Sequence, residues 1–131
     1  MQQAGSESGY VAHVVDLLRG WAPVAPRRMF GGHGLYRGEI MFALVAGEML
    51  YFKTDALNRA EYEAAGMAPF SYARAGRHAV IMSYHAVPPD LLESESELPA
   101  WAERAFAAAL RSRQAKTSPP KRPASRPGKR K

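Results

Sequence analysis

The chain is 131 residues long, a length that suits one domain and not comfortably two, and it contains no cysteine. Disulfides, thiolate nucleophiles and cysteine-based zinc sites are therefore excluded, and no apolar run approaches the length of a membrane span. The net charge of +6 is concentrated at one end: Lys116, Lys121, Arg122, Arg126, Lys129, Arg130 and Lys131 supply seven positive charges and no acid, so 18 minus seven leaves 11 Lys and Arg against 12 Asp and Glu, a body of net −1.

In chain order, residues 1 to 7 are expected to form a short disordered leader, polar and without the apolar core of a signal peptide. Ser8 can cap a helix in which Val11, Val14, Val15 and Leu18 fall at i, i+3, i+4 and i+7, one amphipathic face. Gly20 ends it, and Pro23 and Pro26 prevent its resumption. Three strands follow: residues 27 to 36, bent at their glycines, then 40 to 45 and 48 to 53. Gly38 and Gly47 stand at the joints of this antiparallel meander. Thr54 or Asp55 caps a second helix reaching about residue 65, stopped by Gly66, with Leu57, Ala60 and Ala64 as its expected buried stripe.

Beyond Pro69, Phe70, Tyr72 and Arg74 alternate with Ser71 and Ala73. Gly76 turns the chain, and Val80, Met82 and Tyr84 alternate with Ile81, Ser83 and His85, a period of two in both arms. Pro88 and Pro89 end the sheet, and Pro89 suits the first turn of a short helix through residue 93. The last helix, 98 to 114, carries Leu98, Trp101, Ala102, Ala105, Phe106, Ala109 and Leu110 on one stripe.

The order α-β-β-β-α-β-β-α-α, with one apolar face per helix, predicts an α+β two-layer sandwich: an antiparallel sheet of about five strands with helices on one face. The domain should span residues 8 to 115 and the disordered basic tail residues 116 to 131. Phe42, Tyr51, Phe52, Phe70, Tyr72 and Tyr84 mostly build the core, and some of them are available to the half-solvated outer face.

No catalytic set can be assembled. Glycines of a phosphate-binding loop precede a helix, whereas those of GGHG lead into another strand, and no GK[ST] follows; a bulge or bend is the reading. No serine lies in a nucleophile elbow. His13, His33, His78 and His85 have no metal-ligand spacing, so neither metal nor cofactor is expected. Arg27, Arg28, Lys53, Asn58 and Arg74 are the candidate interaction surface; strand-edge charge is the competing explanation for the cations.

RRMFGGHGLY, MFALV, LYFKTDALNRAEYEA, PFSYARAGR, SYHAVP and WAERAFAAAL occur in an order and spacing that resembles the TfoX (Sxy) N-terminal domain family, over about residues 10 to 111. The most specific pieces are Met29, Phe30, Gly31 and Gly32 with Gly34, Leu35 and Tyr36, and Lys53, Thr54 and Asp55 with Asn58 and Arg59. The resemblance implies a small fold similar to type III secretion chaperones. It also implies a regulator of DNA-uptake competence acting on transcription beside a DNA-bound activator. Full-length members carry a second, helical C-terminal domain, for which the residues after Arg113 are too few.

The resulting expectation is a cytoplasmic, non-enzymatic regulatory and protein-interaction module, whose partner belongs to the transcription machinery or is an activator. The tail residues Lys116, Lys121, Arg122, Arg126, Lys129, Arg130 and Lys131 add weak, salt-sensitive affinity for nucleic acid. The alternatives are direct nucleic-acid binding through tail and open sheet face, and, third, a small-ligand binder or enzyme with a pocket near Gly31, Lys53 and Asn58.

Overall fold

In a computed structural model of the chain, residues 2–29, 31–74 and 76–117 are described. They form an antiparallel sheet of six strands in the order β1-β2-β3-β4-β6-β5, with helices packed on one face. The strands are β1 (Ala25–Met29), β2 (Gly32–Arg37), β3 (Ile40–Ala46), β4 (Met49–Lys53), β5 (Pro69–Arg74) and β6 (Arg77–Ala86); the helices are α1 (Gln2–Leu18), α2 (Arg59–Ala64) and α3 (Glu97–Thr117), with a short 3-10 helix at Pro89–Glu93. The two-layer α+β architecture is the one the periodicities predict.

The sheet gains a sixth strand because RRMFGGHGLY is not one bent strand. Ala25 pairs with Tyr36 and Met29 with Gly32, so β1 and β2 are the arms of a hairpin, and Gly31 supplies the left-handed φ of +80° at its tip. The first helix also differs. Residues 2 to 7, expected as a leader, lie in α1, and Ser8 is inside it rather than capping it. The physical reason is a tether that local capping rules do not register. The Glu7 carboxylate accepts a hydrogen bond from His33 Nδ1 at 2.7 Å and one from the Gly47 amide at 3.2 Å. Helix α1 is thereby held to the ends of two hairpins.

The core lies between the sheet and the helices. Val11, Val14 and Leu18 of α1, Leu98, Ala102, Ala105 and Ala109 of α3, and Leu35, Phe42, Ala43, Val45, Leu50 and Phe52 of the sheet form one buried cluster. The alanines of α3 let its axis come close to the central strands β3 and β4, which it contacts directly. Fully burying each large apolar side chain contributes about 1.5–3 kcal/mol.

Strand β3 buries two consecutive residues, Phe42 and Ala43. Leu35 pairs with Ala43 and Tyr36 with Met41, so Phe42 is the extra residue of a bulge, which turns it into the core. It meets the rings of Trp21 at 5.2 Å and Phe52 at 6.0 Å.

Helix α2 is shorter than expected, and its predicted stripe is wrong. Leu57 is 75% exposed, and Ala60 and Ala64 are exposed as well. The side chain it buries is Tyr62, packed on Trp101 with ring centroids 4.8 Å apart. The turn from Asp55 to Asn58 displaces the start of the helix by local side-chain bonds, which compete with helical ones. The Leu57 amide donates to Asp55 Oδ1 at 3.0 Å, and the Asp55 amide donates to Asn58 Oδ1 at 2.7 Å.

Among the described residues no helix is long and apolar enough to cross a membrane. Lys116 falls in the last turns of α3, while Lys121, Arg122, Arg126, Lys129, Arg130, Lys131 and Phe30 lie outside the described residues.

Candidate functional site

Alternation along β4 sorts the two faces of the sheet. Leu50 and Phe52 are buried under the helices, whereas Met49, Tyr51 and Lys53 point the other way and are exposed or half-buried. Pairing extends this outer face. Lys53 pairs with Tyr84 of β6, and its ammonium stands 4.9 Å from the Tyr84 ring centre. Tyr51 meets the Phe70 ring edge-on at 4.9 Å. At the other end, Arg27 of β1 lies over the Tyr36 ring at 4.3 Å.

Met29 and Met49 on this face are large apolar side chains, 38% and 44% exposed. Burial, with Tyr36 nearby, pushes the Tyr84 phenol up to about 12, and burial also raises Tyr51. Both phenols therefore stay neutral, so the face presents an apolar, aromatic centre with cations at Arg27 and Lys53.

The five residues expected as a surface do not converge. Arg27 and Arg28 sit on β1, one edge of the sheet, and Arg74 on β5, the opposite edge. Every residue of β1 is exposed, and its Pro26 and two arginines discourage another strand from pairing there. The edge-charge reading thus accounts for Arg28. Lys53 and Asn58 do meet, but Asn58 is buried and structural: its Nδ2 donates to the Lys53 carbonyl at 3.1 Å.

The family-motif glycines are also structural. A Cβ on Gly32 would run into the carbonyl oxygen of Val45. One on Gly34 would crowd the sulfurs of Met41 at 3.0 Å and Met29 at 3.2 Å. His33, the centre of GGHG, is bound to Glu7, which accounts for it without a phosphate.

Two polar groups at the end of β4 escaped sequence reasoning. Asp55 receives Arg111 through two bonds, Nε to Oδ2 at 2.7 Å and Nη2 to Oδ1 at 3.0 Å. These bonds hold the Asp55 carboxyl below its ordinary range and raise the Arg111 guanidinium. The residues are 56 positions apart, so no local pattern links them. His85 is fully buried beside Thr54, with Nδ1 2.9 Å from Oγ1. The Thr54 hydroxyl donates to the Met82 carbonyl at 3.0 Å, so its oxygen accepts from a protonated Nδ1, which defines the tautomer.

Burial, and then the charge of Arg59, lower the His85 pKa and keep the ring neutral. Below its ordinary 6.5 the unfolded chain takes up a proton at His85 that the folded chain does not. Stability should therefore fall as pH drops through that value, from pH 7 toward pH 5.5. Asp55 adds a second loss as pH falls below 3.8 toward its lowered folded value. Urea denaturation at the two upper pH values checks the first window: His85→Gln should flatten the slope, and an unchanged slope would refute the assignment.

Among the described residues no group of three or more His, Asp or Glu side chains is placed to hold a metal. Among known families, the model described as TfoX N-terminal domain matches residues 16–109. No curated protein matches the chain.

Proposed function

Because the chain belongs to the TfoX N-terminal domain family, we propose that it is a non-enzymatic regulatory module, a transcription co-regulator that docks a protein of the transcription machinery on its open sheet face. The observation supporting this reading is the composition of that face. Exposed Met29 and Met49 flank half-buried Tyr36, Tyr51, Phe70 and Tyr84. Methionine, tyrosine and arginine are the residues that protein-contact surfaces favour. Arg27 and Lys53 select a partner segment whose apolar side chains have acidic neighbours. Control of DNA-uptake competence is one output such a co-regulator would serve.

The full chain, used as bait, should capture a defined transcription component. Met29→Asp with Met49→Asp should weaken that capture at least about tenfold, as expected for charges set in an apolar contact. Both positions are exposed, so the change in folding stability should stay within about 0.5 kcal/mol. Capture that is insensitive to the double variant would overturn the reading.

The same aromatic residues, together with the basic tail, support a second reading, direct nucleic-acid binding by stacking and phosphate contact. It predicts binding to single-stranded nucleic acid that falls steeply with salt and is lost on neutralising the tail lysines and arginines in the full chain. Salt-independent binding, or none, removes it.

A further inference from the structure

The two edges of the sheet are built differently. At β1 every residue is exposed, and Pro26, Arg27 and Arg28 deter a further strand. At the other edge β5 is paired on one side only, with β6. After Pro69 it continues as Phe70, Ser71, Tyr72, Ala73 and Arg74, with no further proline and a single charge. A row of open backbone donors and acceptors without such guards is a template for another strand.

The same segment is thinly supported. Strand β4 pairs with β6 over residues 51 to 53 opposite 84 to 86, and one bond beyond joins the Thr54 amide to the Ser83 carbonyl at 2.8 Å. Strand β5 follows β6 further, from Ile81 to Arg77, after a register shift between Pro69 and Phe70. Residues 70 to 81 thus run past the end of β4 as a two-stranded ribbon, in which Val80 is 49% exposed. Two strands alone are marginally stable in water, and a third strand changes that.

The register says which backbone groups are open. Arg74 pairs with Arg77 across a two-residue connection, so Phe70, Tyr72 and Arg74 hold the positions bonded to β6. Ser71 and Ala73 alternate with them and direct their N–H and C=O groups to the open edge. We propose that this edge pairs with the same edge of a second copy of the chain, antiparallel about a two-fold axis at Tyr72. Ser71 of each copy then exchanges both of its backbone bonds with Ala73 of the other.

This register suits the residues it brings together. Tyr72 faces its own copy, an aromatic pair of the kind that stabilises neighbouring strands, and Arg74 falls opposite Phe70. The two Arg74 residues stand four positions apart along the paired strands, about 14 Å at about 3.4 Å per residue. That separation exceeds the screening length of about 8 Å in physiological salt, so like charges do not oppose the pairing. Two-fold pairs are also the commonest oligomers, because one patch serves both sides. Both faces of the sheet stay free, so the inference is independent of the docking reading.

The test is sedimentation velocity of the full chain over a dilution series, at a salt concentration high enough to screen the basic tail. A reversible equilibrium between monomer and dimer is expected. Ala73→Pro removes an amide that points to the open edge and leaves the pairing with β6 in place. It should raise the dimer dissociation constant about tenfold or more. Amide hydrogen exchange on the unmodified chain needs no variant: Ser71 and Ala73 should gain protection as concentration rises, while Arg28, at the other edge, should not. A monomer at every concentration, a dimer unaffected by Ala73→Pro, or protection of Ser71 and Ala73 that appears only when another protein is added would each overturn the proposal.

Discussion

Gly32→Ala is expected to destabilise the protein by about 3 kcal/mol or more, while Gly31→Ala, one residue away, costs about 1–2 kcal/mol. The two glycines are required for different reasons. At Gly31 the backbone has φ of +80°, and nothing lies within 4 Å of an added Cβ, so the cost is the left-handed conformation alone. At Gly32 the added Cβ would collide with the Val45 carbonyl and stand 3.2 Å from its carbon. Both are backbone atoms of β3, the strand that α3 covers, so neither rotamer change nor fraying relieves the clash. The β1–β2 hairpin would have to move away from β3, breaking the pairing of His33 with Val45 and straining the Glu7 bond to His33. Urea midpoints of the two variants against wild type measure the difference. A Gly31 variant less stable than the Gly32 variant would show that close strand packing is not the constraint.

Tyr62→Ala should cost about 3–5 kcal/mol, the range for truncating a large buried aromatic side chain. Tyr62 is 0% exposed and is the largest of the fully buried side chains. It joins α2 to the body by packing against Trp101 of α3 and, at 5.8 Å, against His85 of β6. Its removal would leave a cavity at the junction of three elements. Tyr62→Phe should behave oppositely. The phenolic oxygen is buried without a hydrogen-bond partner, and burial drives its pKa far upward. Deleting a buried, unsatisfied hydroxyl while keeping the ring should leave stability unchanged or raise it by about 1 kcal/mol. Chemical denaturation of both variants tests the account. A Phe variant as damaged as the Ala variant would mean that the hydroxyl has a partner and that the ring is not the main contributor.

These two residues also mark how far one-dimensional patterns reach. The stripe Leu98, Ala102, Ala105 and Ala109 was legible because a helix face repeats every three or four residues, and those positions are buried. The alternation in β4 was legible for the equivalent reason at period two. Tyr62 was not. Helix α2 has six residues, too few for a periodic pattern, and its alanines misdirected the choice of face. The Glu7–His33 tether was equally hidden, because a carboxylate in a polar N-terminal stretch looks the same whether it is solvated or bound.

The site shows the same division. That one sheet face would be left to solvent, with aromatic residues on it, followed from counting single-faced helices. Which cations reach that face did not, because sequence proximity places Arg27 and Arg28 together with nothing to say that β1 and β5 are opposite edges.

By itself, then, the amino-acid sequence determined the class of fold, the ends of most elements and the family, since each depends on interactions within a few residues or on a long ordered match. The tertiary structure alone decided that RRMFGGHGLY is a hairpin, that Arg74 stands across the sheet from Arg27, and that Lys53, Asp55, Arg59 and Arg111 share one cleft. The physical reason is common to all three. Strand pairing and ion pairing join residues distant along the chain, and their energies depend on a register and a packing that no local spacing encodes.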